Sequence, residues 1–175
     1  YERLRTRLKQ HFSDNPLEKV VLFSYFRATL AYLHERLRDD SIASVVMQGG
    51  TKDKDQLIND FRDSEEGVVL LSSEVGSEGI DLQFSRIVIN YDLPWNPMRV
   101  EQRIGRIDRL GQNSPVIHVW NLFYADTIDA RIYRRLFERL KIFEGALGSL
   151  EPVLGDKIQD LTRNLFYDQL TPEQE

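Results

Sequence analysis

Residues Gln102 to Gln112 read QRIGRIDRLGQ, and the approach to them carries the marks of a helix start. Asn96 is a favoured N-cap residue, Pro97 suits the first helical position, and Gly111 suits the residue past the end. The spacing predicts a helix from Pro97 to Leu110. On a wheel of ~100° per residue, Ile104 and Ile107 fall within roughly 40° of Val100 and form an inward stripe. Arg99, Gln102, Arg103, Arg106 and Arg109 occupy a second sector, and Glu101 and Asp108 a third. Four arginines thus share a face without carboxylates, whereas a face placed only for solvation usually mixes signs.

Phosphate recognition is the chemistry that wants such a face. A guanidinium is planar, stays charged and donates two parallel hydrogen bonds to a phosphate. Arg106 and Arg109, one helical turn apart, could aim at one point. In nucleotide hydrolysis that point is the γ-phosphoryl, where such a finger is worth ~10³–10⁵ in rate, or about 4–7 kcal/mol of barrier. The bland alternative is a solvated face with accidental basic clustering.

QRIGRIDRLGQ resembles motif VI of the superfamily-two helicases and translocases. The ending RLGQ and the preceding DLPWNP (Asp92 to Pro97) are similar to the Swi/Snf-type branch, especially the bacterial RNA-polymerase-associated Swi/Snf-like ATPases. The resemblance runs from about Lys19 to Leu122. It implies that Arg106 and Arg109 are arginine fingers and that Gln102 lies near the nucleotide.

Working outward, the apolar run Val20 to Phe23 has the character of a strand buried on both faces. Ile42 to Met47, Val68 to Leu71, Ile87 to Asn90 and Val116 to Leu122 read as further strands. Phe26 to Leu37 and Asp53 to Phe61 read as helices, with Leu30, Leu33, Leu37, Leu57, Ile58 and Phe61 inward. This alternation predicts an α/β fold, a doubly wound parallel sheet whose ligands bind beyond the carboxyl ends of the strands. By resemblance the sheet is a RecA-like helicase C-terminal lobe with extra C-terminal helices. Three segments are expected: an N-terminal helix or linker over 1–16, the lobe over 17–125, and a helical extension over 126–175, with helices from Thr127 to about Leu150 and around Ile158 to Phe166.

The stretch Ser72 to Leu82, SSEVGSEGIDL, follows a strand. Gly76 and Gly79 would allow close backbone approach to a phosphate or sugar, and Asp81 could accept from ribose hydroxyls. A plain turn is the alternative. The stretch resembles motif V, which implies Ser72 and Ser73 near the nucleic-acid backbone and Gly79 and Asp81 near the nucleotide. Swi/Snf proteins commonly have Asn in place of Asp81. Glu74 and Glu78 are expected to face outward or pair with an arginine. Val20 to Arg27 resembles motif IV, with Ser24 at the strand end beside nucleic acid and one of Tyr25 and Phe26 in the core. In Gln48-Gly49-Gly50-Thr51 the Thr51 hydroxyl could hold a nucleic-acid phosphate, cap the next helix, or do both. Trp95 is either a core residue or, by resemblance, on the cleft side.

The chain has 175 residues, enough for one full core, and a net charge of −5. Residues 41–66 carry 3 basic and 6 acidic groups and residues 144–175 carry 2 and 7, so the remainder is net +3. A modest basic surface fits that balance; a charge-driven clamp does not. There is no cysteine, which excludes disulfides and thiolate metal sites and fits a reducing compartment. The three histidines show no ligand spacing, so no protein metal site is expected. No apolar run reaches the ~18 residues of a membrane span, and the start lacks a signal-peptide pattern, so neither membrane association nor export is expected. The start at Tyr1 fits a piece of a longer polypeptide.

No G-x-x-x-x-G-K-[ST] loop and no convincing metal-binding acid motif is present; Asp63-Ser64-Glu65-Glu66 reads as an exposed turn. Phosphoryl transfer cannot be assembled from this chain alone. The resemblance then implies the second lobe of an ATP-dependent translocase, with ATP and Mg²⁺ held mainly by a first RecA-like lobe of the same polypeptide. Its implied track is nucleic acid, double-stranded DNA before RNA, and RNA polymerase or another complex is an implied partner. The implied location is cytoplasmic: nucleoid-associated in a bacterium, nuclear in a eukaryote. A non-catalytic module of the same fold, binding protein or RNA through the arginine face, is the competing reading.

Overall fold

The computed structural model describes residues 1–124 without Glu78 and Trp95, together with Thr127 and Arg131. Among these, the strands are β1 (Lys19–Phe23), β2 (Ala43–Met47), β3 (Val68–Ser72), β4 (Ile87–Asn90) and β5 (His118–Asn121). All pair in parallel, in the order β2-β3-β1-β4-β5. The helices are α1 (Glu2–Asp14), α2 (Arg27–Asp39), α3 (Lys54–Asp63) and α4 (Pro97–Ile104).

The apolar run of β1 takes the centre because every one of its side chains is buried. Alternation along the strand then sorts them to two sides. Val20 and Leu22 join Leu30, Leu33 and Leu37 of α2 and Leu4 and Leu8 of α1. Val21 and Phe23 join Ile58 and Phe61 of α3, with Met47, Val88 and Ile107. Helices therefore cover both faces, as the strand composition requires. Each such side chain contributes about 1.5–3 kcal/mol when fully buried.

Of the two readings of segment 1–16, it is the helix and not the linker, α1 packing on the sheet. Leu4 and Leu8 are core residues of the sheet, the Tyr1 hydroxyl donates to Asp40 at 2.6 Å, and Arg86 ties Glu18 (2.8 Å) and Asn15 (3.1 Å) to the start of β4. Lys19, at the start of the central strand, is buried and donates to the carbonyls of Leu17, Ser64 and Glu66 at 2.8–2.9 Å. Three acceptors use its three protons, and burial pulls its pKa down.

The chain divides into two compact units, residues 1–93 with 103–122, and residues 94–102 with 123–175. In the second, the Asn96 side chain accepts from the Met98 backbone N–H at 3.0 Å, the N-cap contact its position foretold. The expected helices within 126–175 lie outside the described residues, as do Glu78 and Trp95. The α3 cap is Asp53, in a left-handed conformation at φ 50°, and not Thr51.

Candidate nucleotide and nucleic-acid interface

Because the strands are parallel, β1, β2, β3 and β4 end at one edge, and the segments singled out from the sequence leave the sheet there. The arginine segment differs from the expected helix. α4 stops at Ile104, and Gly105 begins a series of tight turns. Arg106 N–H donates to the Arg103 carbonyl (3.3 Å), Ile107 N–H to the Ile104 carbonyl (2.8 Å), and Arg109 N–H to the Ile107 carbonyl (3.1 Å). Ile107 is fully buried in the core, which holds the turns down, and Gly111 closes them at φ 103°. The helical wheel therefore fails beyond Ile104, and the four arginines do not share a face.

Arg103 goes inward. Its side chain is 2 % exposed and donates to Asn90 Oδ1 (2.9 Å), the Asp92 carbonyl (3.0 Å) and Glu74 Oε1 (3.0 Å). The Asp92 carboxylate lies 3.6 Å away, and the Phe23 ring centroid 5.5 Å from the guanidinium carbon. A buried cation needs such pairing to offset desolvation. Glu74 is thus paired with an arginine, one of the two arrangements expected for it. Arg106 is half-buried and Arg109 exposed; among the described residues neither guanidinium has a hydrogen-bond or ion-pair partner. Gln102 is exposed on α4.

In the loop after β3, Ser73 Oγ accepts from Gly76 N–H at 3.0 Å, and the Ser77 hydroxyl donates to the Glu74 carbonyl at 3.1 Å. The two glycines serve different ends. A Cβ on Gly76 would lie 2.4 Å from the Met47 carbonyl oxygen, so its smallness admits the chain's own backbone and not a ligand. Gly79 has φ 77° and open space where a Cβ would point. Asp81 is exposed, and its Oδ1 accepts only a long bond (3.3 Å) from the Gln83 N–H.

Two hydroxyls are withdrawn from the expected interface. Ser24 is fully buried and donates to Asp92 Oδ2 at 2.5 Å, while the same carboxylate accepts the Tyr25 N–H at 2.9 Å. Ser72 is fully buried and donates to the Ser73 carbonyl at 3.0 Å. Both point into the sheet end because they continue buried strands. Ser73 is 7 % exposed. Thr51 is half-buried; its oxygen accepts from the Gln48 N–H at 2.8 Å, which leaves its proton to donate. Tyr25 and Phe26 are about 60 % exposed, edge to face at 5.4 Å, so neither is the core residue that was expected.

Among the described residues no group of three or more His, Cys, Asp or Glu converges as a metal site. No helix among them is long and apolar enough to cross a membrane.

Residues 3–111 match the model of the helicase conserved C-terminal domain. The chain belongs to that family. Over 163 residues this helicase lobe is 40% identical to the protein named uncharacterized ATP-dependent helicase YqhH of Bacillus subtilis, covering 90% of the lobe and 29% of that protein. It is 36% identical over 158 residues to the RNA polymerase-associated protein RapA of Yersinia pestis, covering 88% of the lobe and 16% of RapA. The C-terminal part of the Fun30 ATPase domain superposes with a TM-score of 0.70 at 29% identity, over 97% of the lobe and 53% of that chain. The Pyrococcus furiosus Hef helicase domain shares the fold, with a TM-score of 0.62 at 22% identity, over 78% of the lobe and 28% of that chain. The lobe is therefore the Swi/Snf-like, RecA-like C-terminal lobe of superfamily two, a family of ATP-dependent helicases and translocases, and it spans less than a third of the curated relatives it matches.

The Arg103 pairing was missed because a wheel cannot distinguish an arginine turned toward its own sheet from one facing out. Asn90 offered the signal. A polar residue closing an apolar strand, two places before Asp92, asks for a buried donor.

Proposed function

We propose that the lobe is the second motor lobe of an ATP-dependent translocase on double-stranded DNA. Arg106 and Arg109 would act as the arginine fingers toward ATP held by a first RecA-like lobe of the same polypeptide, with Gln102, Gly79 and Asp81 at the nucleotide edge. The observation that carries this is the division among the arginines: Arg103 is consumed by internal carboxylates and carbonyls, while Arg106 and Arg109 have no partner among the described residues. Mg²⁺, which neutralises phosphate charge in such reactions, would be held by the first lobe. Closure of the lobes would bring charge to the phosphates, and reopening would move the DNA-facing loops, with Thr51 at their edge. Association with RNA polymerase, as in the name of RapA, is part of the same proposal. The test is ATP hydrolysis by the full-length protein with Arg106→Ala and Arg109→Ala. Loss of turnover with retained DNA binding is the expected result; retained turnover would overturn the assignment.

A further inference from the structure

The Arg103 cluster joins three segments that are far apart in sequence. Asp92, after β4, uses its carboxylate on the Ser24 hydroxyl and the Tyr25 N–H after β1. Its carbonyl accepts from Arg103, at the end of α4. The other guanidinium nitrogen of Arg103 reaches Glu74, in the loop after β3. Three residues beyond Arg103 stands Arg106, whose N–H is bonded to the Arg103 carbonyl and whose own carbonyl accepts the Leu82 N–H at 3.1 Å, at the far end of that loop. A ring of contacts therefore runs from Arg103 through Glu74 and the loop to Leu82, and back through Arg106.

We propose that Arg103 is a positioning residue which, through Glu74 and Asp92, sets the loop after β3 and the Arg106 segment as one unit, so that nucleic-acid contact at the loop is felt at the fingers. The inference rests on the function proposed above. Its physical basis is rigidity. A planar guanidinium held by three hydrogen bonds, with a ring against it and almost no exposure, has one arrangement available. Displacing Glu74 leaves a buried cation partly unpaired, so the loop and Arg103 move together or both lose their partners. The network also explains why an acidic residue is tolerated in a loop expected to lie near phosphate: its charge is spent on Arg103.

The test uses the full-length protein with Glu74→Gln and Arg103→Lys. Glu74 is a partly exposed side chain, so its variant keeps the test decisive if Arg103→Lys fails to fold. Amide hydrogen exchange at Leu82, Arg106 and Ile107 is measured beside DNA affinity and DNA-stimulated ATP hydrolysis. The expected result is exchange faster by about tenfold or more at these amides and a comparable loss of stimulation, with DNA affinity within about twofold of wild type. Unchanged exchange would overturn the positioning role. Faster exchange with full stimulation would overturn the coupling and leave Arg103 a stability residue. Arg106→Ala serves as the separate control on the function: if it retains turnover, the finger assignment fails, while the exchange result still decides whether Arg103 sets the segment.

Discussion

The backbone N–H of Leu82 donates to the carbonyl of Arg106 at 3.1 Å, fastening the end of the glycine-spaced loop to the arginine segment. Neither residue uses its side chain in this bond, so substitution of the Arg106 side chain leaves the tie intact. Side-chain chemistry at this position can be tested without dismantling the loop.

Arg106→Lys in the full-length protein is accordingly expected to reduce kcat by ~10³-fold or more, nearly as much as Arg106→Ala. Lysine keeps the charge and loses the planar fork. Steady-state phosphate release measures it, and a lysine variant with most of its activity would show that only charge is needed.

The 175-residue chain alone is expected to hydrolyse no ATP, since its sequence has no G-x-x-x-x-G-K-[ST] loop and no convincing metal-binding acid motif. Phosphate release from a clean preparation, abolished by Arg106→Ala, would refute this.

Thr51→Ala in the full-length protein is expected to weaken DNA stimulation of ATP hydrolysis while basal turnover changes little, because the Thr51 hydroxyl retains a proton to donate. Ser24→Ala is expected to act on the fold instead, costing about 1–3 kcal/mol through the lost bond to the Asp92 carboxylate. Urea unfolding and a DNA titration of ATPase rate separate the two. The affinity should fall with salt as only about one to three phosphates are neutralised.

Gly76→Ala is expected to destabilise more than Gly79→Ala. The first puts a Cβ against the Met47 carbonyl, where backbone must shift. The second meets open space and carries only the left-handed backbone cost, about 1–2 kcal/mol. Denaturant midpoints of the two variants decide the order.

Asp40 is held below the usual carboxylate range, first by the Tyr1 hydroxyl and then by Lys9 and Arg5. A carboxylate with a lowered folded pKa adds stability above its unfolded value, ~3.9, and loses it as pH falls through the folded value. Asp40→Asn is thus expected to be less stable than the parent at pH 7, with the difference closing in acid. Unfolding measured at both pH values checks it; a constant difference would assign the effect to shape alone.

The sequence by itself determined the fold. The uninterrupted apolar runs of Val20 to Phe23 and Val68 to Leu71 require cover on both faces, and the helices between the strands supply it. Asn96 also announced its backbone role, because a cap depends on local chemistry, whereas Gly111, expected just past a helix running to Leu110, instead closes the turns that follow Ile104. Only the tertiary structure decided which polar side chains were free. Arg103, Arg106 and Arg109 look alike on a wheel, and Ser24, Ser72 and Thr51 look alike at strand ends. Which of them spend their hydrogen bonds internally depends on neighbours distant in sequence. Arg103 meets Asn90, which closes β4, and Glu74, which follows β3, while Ser24 meets Asp92 because β1 and β4 are adjacent in the sheet. Periodicity reports which side of its own element a residue occupies, and the partner waiting there is set by packing.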